Sequence, residues 1–211
     1  MATSFRVFLR ELRQNLLRRA GLLGARWEEA LPEELSFWQK ALSDPDRHWL
    51  RSDYDLRMNP VLPLQEEFRA LIDVPPGGTV RLLDVGAGPL TRLGKVWESR
   101  TIEITPVDPL ADQYRSLFAQ LRLTPPVVTV PGRGEELLAQ FGPDRFDLAY
   151  ASNALDHSYD PLKAIREMVA VVKPGCSAYL WHFAAVGQME GYTGLHQWNF
   201  DIVNGDMVLT D

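Results

Sequence analysis

The sequence predicts an α/β fold built on a mostly parallel sheet. Three observations predict it. Val80-Arg-Leu-Leu-Asp-Val85 is a largely apolar run that ends in Gly86-Ala-Gly88, a buried strand entering a glycine turn. Thr101–Val107 and Phe146–Tyr150 are further strand-like runs. Helix-length stretches, Ala111–Leu121 and Leu162–Val172, follow these strands, the alternation of a sheet with crossover helices. At 211 residues the chain has room for one domain with a full core.

The glycine turn comes first because a small-molecule site in an open α/β sheet lies at such a strand end. Gly86 and Gly88 let the backbone turn tightly and approach a ligand, and Pro89 suits the first turn of a helix. A dinucleotide fingerprint needs a third glycine, and Thr91 stands there instead. Asp84 would meet a pyrophosphate with like charge, whereas the sulfonium and ammonium of S-adenosylmethionine suit a carboxylate. A phosphate loop fails too. Gly88 to Gly94 is one residue too long for it, and Val96 follows Lys95 where Ser or Thr is needed. The competing reading is an ordinary strand-to-helix turn with no ligand.

Leu82-Leu-Asp-Val-Gly-Ala-Gly88 resembles the first motif of the class I S-adenosylmethionine-dependent methyltransferases, and the similarity runs from about Val80 to Phe183. Leu90 replaces a glycine often found there. The resemblance implies a Rossmann-like three-layer sandwich whose mostly parallel sheet has seven strands or a shortened set. It implies S-adenosyl-L-methionine as cofactor and S-adenosyl-L-homocysteine as product. Cofactor contacts are expected from Asp84, Gly86, Ala87, Gly88 and Pro89 around the turn.

Composition sets the outer bounds. A net charge of −6 carries no basic surplus for a nucleic-acid backbone, so no nucleic-acid partner is expected. Cys176 is the only cysteine, which excludes an internal disulfide and thiolate metal clusters. No apolar run is long enough to span a membrane, and the basic N-terminus lacks a signal-peptide core. A cytoplasmic protein without stable membrane insertion is the expectation.

Taken in order, Phe5, Phe8, Leu9, Leu12, Leu16 and Leu17 recur at helical spacing with arginines on the other faces. This helix is expected to dock on the domain or on a second copy in a homodimer. The competing readings are an anionic-membrane helix and a transit peptide. Gly21 and Gly24 break it, and Leu35–Leu42 predicts a second helix. His48–Pro63 reads as irregular. In similar methyltransferases a segment before the first strand closes over the cofactor, where Arg57 could meet its carboxylate; a surface ion pair is the alternative. Leu64–Ile72 predicts a helix, and Pro75-Pro-Gly-Gly78 marks the junction between an N-terminal helical extension, residues 1–76, and a cofactor-binding core, residues 77–211.

Leu90–Trp97 is expected to form the first crossover helix. The next strand ends at Asp108, about 20 residues past the turn, where an acid on ribose hydroxyls is expected. Two hydroxyl donors suit a two-oxygen acceptor, although Asp108 before Pro109 also reads as a helix N-cap. Pro109 and Leu110 would flank the adenine. Resemblance puts an adenine contact in the Pro131–Gly134 loop region, with Gly134 and Glu135 as candidates; Glu135 is equally an acid at a helix N-terminus. Asn153, after the fourth strand, holds the position where cofactor and acceptor meet in similar proteins. Ser177–Phe183 is the fifth strand. Trp198–Val203 and Met207–Thr210 read as a hairpin around Asn204-Gly205 and could complete the sheet.

The sulfonium is already a good leaving group, so the main task is to hold an acceptor in line. A hydroxyl acceptor benefits from a general base. His157 is the favoured catalytic base, oriented by Asp156 or Asp160, with a structural helix-start role as the alternative. His182, His196 and Trp198 are expected to shape the acceptor pocket. No pair of His, Asp or Glu has a spacing that specifies a metal, so none is expected. The expected function is O-methylation of a small molecule or sugar hydroxyl. A non-catalytic cofactor-binding subunit acting through a protein partner, and a nicotinamide-dependent oxidoreductase, are the alternatives.

Overall fold

Five strands make one parallel sheet in the order β3-β2-β1-β4-β5: β1 Thr79–Val85, β2 Thr101–Asp108, β3 Val130–Pro131, β4 Phe146–Ser152 and β5 Val172–Trp181. The computed structural model describes residues 23–44 and 51–211. Among the described residues this is a Rossmann-like parallel sheet of five strands. Its chain order reverses between β1 and β4, the place where open α/β sheets leave a crevice for ligands.

Side-chain alternation along β1 explains its burial on both sides. Val80 and Leu82 join Leu148, Tyr150, Leu64 and Phe68 on one face. Leu83 and Val85 join Ala149, Ala151, Leu137 and Met168 on the other. The second face is covered by α5 (Leu137–Phe141) and α6 (Pro161–Val171). Asp160 caps α6 by accepting from the Lys163 N–H at 3.1 Å, and Pro161 occupies its first turn.

The first crossover helix is absent. Residues 86–100 form an irregular loop, and tertiary hydrogen bonds explain why. The Lys95 and Val96 N–H groups donate to the Leu62 carbonyl, at 2.7 and 3.1 Å, and the Leu64 N–H donates to the Val96 carbonyl at 2.8 Å. Gln65 clamps the loop from the side: its amide donates to the Arg92 carbonyl at 2.7 Å and accepts the Gly94 N–H at 3.1 Å. A Cβ at Gly94 would lie 2.1 Å from the Pro63 carbonyl oxygen, so the two segments touch backbone to backbone. The helix expected over Leu64–Ile72 is reduced to α3, Glu66–Arg69, and this segment covers the sheet face that the missing helix leaves.

The N-terminal side is more helical than expected. α1 runs Leu23–Ser43, through Pro32 and past Gly24, rather than only Leu35–Leu42. Its apolar stripe, Leu31, Leu35, Trp38 and Leu42, packs on Tyr114, Leu117 and Phe118 of α4 (Ala111–Leu121), and that packing outweighs the lost hydrogen bond at proline. Arg51–Met58, expected to be irregular, is helix α2. The arginine-rich helix expected over residues 1–20 lies outside the described residues. Among the described residues no helix is long and apolar enough to cross a membrane.

The C-terminal hairpin forms as expected, β6 Asn199–Val203 with β7 Asp206–Thr210, but it does not extend the parallel sheet. After β5 the chain makes a short helix, α7 (Val186–Met189), and the hairpin returns over the sheet. Phe200 and Trp198 then pack into the core beside α6. Trp198 donates its indole N–H to the Ser158 carbonyl at 2.8 Å, which fixes the tail against the turn after β4.

Candidate active site

The carboxyl ends of β1, β2 and β4 open into a cavity of about 510 Å³, roofed by α1 and α2. α1 reaches over it with two tryptophans. Trp38 sits above Gly88, whose φ of +62° and missing Cβ make the fit; a Cβ there would lie 2.8 Å from the indole ring. Trp27 donates its indole N–H to the His157 carbonyl at 2.6 Å. These two residues are about 16 Å apart along the helix at 1.5 Å rise per residue, so one helix ties both sides of the cavity.

Asp108 ends β2 at the cavity wall, 8% exposed. One of its oxygens accepts the Gly88 N–H at 3.0 Å and the other accepts the Leu110 N–H at 2.9 Å. Each oxygen keeps a further lone pair. Burial pushes the carboxyl up to about 7, against those two hydrogen bonds. Asp84 lies below the turn, 2% exposed, and accepts the Thr91 hydroxyl at 2.5 Å. Burial raises it to about 6, with Thr91 and Arg57 opposing.

Arg57 is buried rather than paired on the surface. Its Nε and Nη2 donate to Asp53 and its Nη1 to the Leu90 carbonyl at 2.6 Å, which leaves two of its five N–H donors. Arg92 shares Asp53 at 3.2 Å and lies 5.7 Å from the Trp181 ring. Glu135, 2% exposed, lines the cavity while its Oε1 accepts the Asp160 N–H at 3.1 Å. Gly86, Ala87, Pro109, Leu110, Gly134 and Asn153 also line it, and Asn153 takes a left-handed φ of +46°. Pro89 does not; it faces Thr129.

On the side of Asn153, Asp156 is fully buried with histidines around it. His196 Nδ1 lies 2.9 Å from Asp156 Oδ2 and 3.0 Å from His157 Nε2, and His157 Nε2 lies 3.4 Å from the same oxygen. His157 and His196 line the cavity. Burial alone would raise the Asp156 carboxyl, but His157, His196 and His182 together hold it below its ordinary value. The hydrogen bond to Asp156 raises His196. His182 is placed behind Asp156, not on the cavity, stacked on Phe200 at 4.2 Å; burial lowers it to about 4. Trp198 is likewise in the core rather than on the wall. Asp160, the other residue considered for orienting His157, caps α6 instead.

Sequence reading missed Trp27, Glu34, Asp53 and Arg92, all of which line the cavity. Trp27 and Glu34 come from the part of α1 that precedes the expected helix. The Trp27, Leu31, Leu35 and Trp38 spacing was the signal available for it. Among the described residues the lining carries five carboxylates (Glu34, Asp53, Asp84, Asp108, Glu135) against three guanidiniums (Arg57, Arg92, Arg133). A buried hydroxyl acceptor at a strand end, an acidic surround and a partly free guanidinium fit a nucleoside that also bears a sulfonium and an amino-acid group.

Residues 83–180 match the family model described as "Methyltransferase domain". Among solved structures, the chain is similar to an arsenic(III) S-adenosylmethionine methyltransferase from Chlamydomonas reinhardtii, with 21% identity over 56% of this chain and 45% of that one and a TM-score of 0.38. It is similar to a chain in the complex between the Haloferax volcanii Trm112 methyltransferase activator and the putative methyltransferase, with 18% identity over 83% and 68% of the two chains and a TM-score of 0.45. It is also similar to the YcgJ protein from Bacillus subtilis, with 18% identity, 65% and 69% coverage and a TM-score of 0.40. This chain spans less than half the length of the arsenic enzyme.

Proposed function

We propose that this chain, in which residues 83–180 are a class I S-adenosylmethionine-dependent methyltransferase domain, methylates an oxygen of a small molecule or sugar. The observation that carries the acceptor reading is the Asp156–His157–His196 cluster at the edge of the cavity that Asp108 also faces. When bound, S-adenosylmethionine supplies a methyl group on sulfur that is already a good leaving group.

Residues of this chain would divide the remaining work. Asp108 holds the ribose hydroxyls through the carboxylate acceptor positions that the Gly88 and Leu110 N–H groups leave, with the Tyr114 hydroxyl beside them and Pro109 and Leu110 against the adenine. The backbone of Gly86–Gly88 lies along the amino-acid end, where the two remaining N–H groups of Arg57 meet a carboxylate and Asp84 faces positive charge. Glu135 and Gly134 border the base. Asn153 positions the acceptor, and His157 takes its proton. Asp156 and His196 hold the His157 ring, since both lie within 3.4 Å of its Nε2. α1 excludes water from above, and a dry cavity strengthens each of these electrostatic contacts.

The test is single-turnover methyl transfer against a panel of sugars and phenols, with cofactor affinity measured in parallel. His157→Ala should lower kcat by roughly 10²–10⁴-fold, the reach of general-base catalysis. S-adenosylhomocysteine affinity should stay unchanged, because the ring faces the acceptor. A variant with the wild-type rate and pH profile removes His157 from the reaction.

A further inference from the structure

The cluster that the cavity presents to the acceptor has a geometry that one shared proton does not explain. Three atoms from three side chains meet: Asp156 Oδ2, His157 Nε2 and His196 Nδ1, separated by 2.9, 3.0 and 3.4 Å. An N–H on His196 Nδ1 can point at Asp156 or at His157, or be divided between them, but cannot serve both fully. All three atoms are metal-ligating, and they lie within 4.8 Å of one another.

We propose that Asp156, His157 and His196 bind a divalent first-row transition ion, with zinc the default occupant. At metal–ligand bonds of about 2.0–2.1 Å, neighbouring ligands stand roughly 3.0 Å apart in octahedral and roughly 3.3 Å apart in tetrahedral sites. The three separations span that range, so an ion enters with shifts of a few tenths of an ångström. Two imidazoles and one carboxylate select a borderline ion; magnesium and calcium want oxygen ligands. Asp156 brings one negative charge from a fully buried position, which favours a cation beside it.

The surroundings match a metal site beyond its three ligands. A ligating histidine usually turns its other ring nitrogen to a carboxylate. His157 Nδ1 faces Glu34 of α1, 3.8 Å away, a distance that a small rotation converts into a hydrogen bond. The second oxygen of Asp156 is buried without a hydrogen-bond partner among the described residues, and His182 Nδ1 lies 3.9 Å from it. His157 and His196 face the cavity, which leaves the ion's open positions toward whatever occupies it. This inference rests on the reading that the acceptor occupies this side of the cavity. It narrows the acceptor class to molecules that present a metal-ligating oxygen. With the ion bound, a hydroxyl held there gives up its proton to solvent nearer neutrality, and the base role proposed above for His157 belongs to the ion-free protein.

Sequence spacing hid the site, because His196 lies 40 residues from Asp156 and only the returning C-terminal segment brings it back. The experiment is metal binding by the full-length chain, stripped with a chelator and then titrated with zinc by calorimetry and with cobalt by visible absorption. Wild type should bind one ion per chain and gain melting temperature. His157→Ala and His196→Ala, both partly exposed and so tolerant of truncation, should each weaken binding by more than ~100-fold, beyond the roughly 10–100-fold that loss of an outer partner costs. Zinc that does not bind, or that binds both variants as tightly as wild type, overturns the site. S-adenosylhomocysteine binding by thermal shift on the stripped protein reports the cofactor reading separately. If that ligand binds and zinc does not, the metal site fails alone; if zinc binds and that ligand does not, the cofactor cavity fails alone.

Discussion

Asp108 is the residue on which the cofactor assignment turns, and its burial makes the assignment measurable. The carboxyl is pushed to about 7 in the free protein, so near neutrality about half of the chains hold it protonated. A ribose that donates two hydroxyls needs the carboxylate. Binding must therefore release that proton, and apparent affinity is reduced by the fraction already ionised. Two pH units below 7 that fraction is about 1%, so S-adenosylhomocysteine should bind up to ~100-fold more weakly at pH 5 than at pH 8. Asp108→Ala deletes the acceptor and should cost about 1.5–3 kcal/mol at pH 8, or roughly 10–150-fold in Kd. It should also flatten the pH dependence. Calorimetry in two buffers of different ionisation enthalpy counts the released protons directly, with about half a proton expected at pH 7. A wild-type affinity that ignores pH, or an Asp108→Ala variant that binds as wild type does, refutes the ribose role.

Two further expectations concern stability. Asp84 titrates near 6 in the folded chain and near 3.8 when unfolded, so folding favours its protonated form; its contribution is present below about 4 and lost as pH rises through 6. Asp84→Asn should therefore gain in melting temperature relative to wild type between pH 5 and pH 8, and a difference that stays constant or runs the other way sinks the argument. Gln65→Ala removes both side-chain bonds that clamp the loop after the glycine turn, and about 1–3 kcal/mol of unfolding free energy should go with them. Denaturant melts reading under ~0.5 kcal/mol would mean that the Leu62–Val96 backbone pairing holds the loop unaided.

The strand–turn unit was legible because its signals are local. Val80–Val85 and the two glycines lie within nine residues, and the Asp108 carboxylate follows at the end of the next strand. The loop after them was not. Leu90–Trp97 has helical spacing, but its backbone donors and acceptors are taken by Leu62, Leu64 and Gln65, and nothing within the segment says so. α1 was half legible: Pro32 argues for a start near Leu35, whereas the Leu31–Leu42 stripe meets α4 across the fold and carries the helix through the proline. The histidine cluster was legible as residues and not as a site. Asp156 and His157 adjoin in sequence, yet their partner arrives from a tail whose hairpin packs on the sheet rather than joining it.

The same cluster weighs on whether the chain turns over a substrate or only carries a cofactor. Binding alone needs the glycine turn, the Asp108 carboxylate and the roof of α1. It has no use for a carboxylate buried among three imidazoles. Taking Asp156 out of water costs several kcal/mol before pairing, and an apolar side chain of similar volume would avoid that cost. The charge is kept where two of those imidazoles reach the cavity, and His182 is buried behind them, held neutral by burial that lowers it to about 4. Such a network, open to the cavity on one side and sealed by Phe200 and Trp198 on the other, is what the proposed methyl transfer would use. An Asp156→Asn variant separates the readings. It keeps the shape and removes the charge, so a cofactor carrier should bind S-adenosylhomocysteine as before and gain stability. A catalyst should bind it as before and lose methyl transfer by at least ~100-fold.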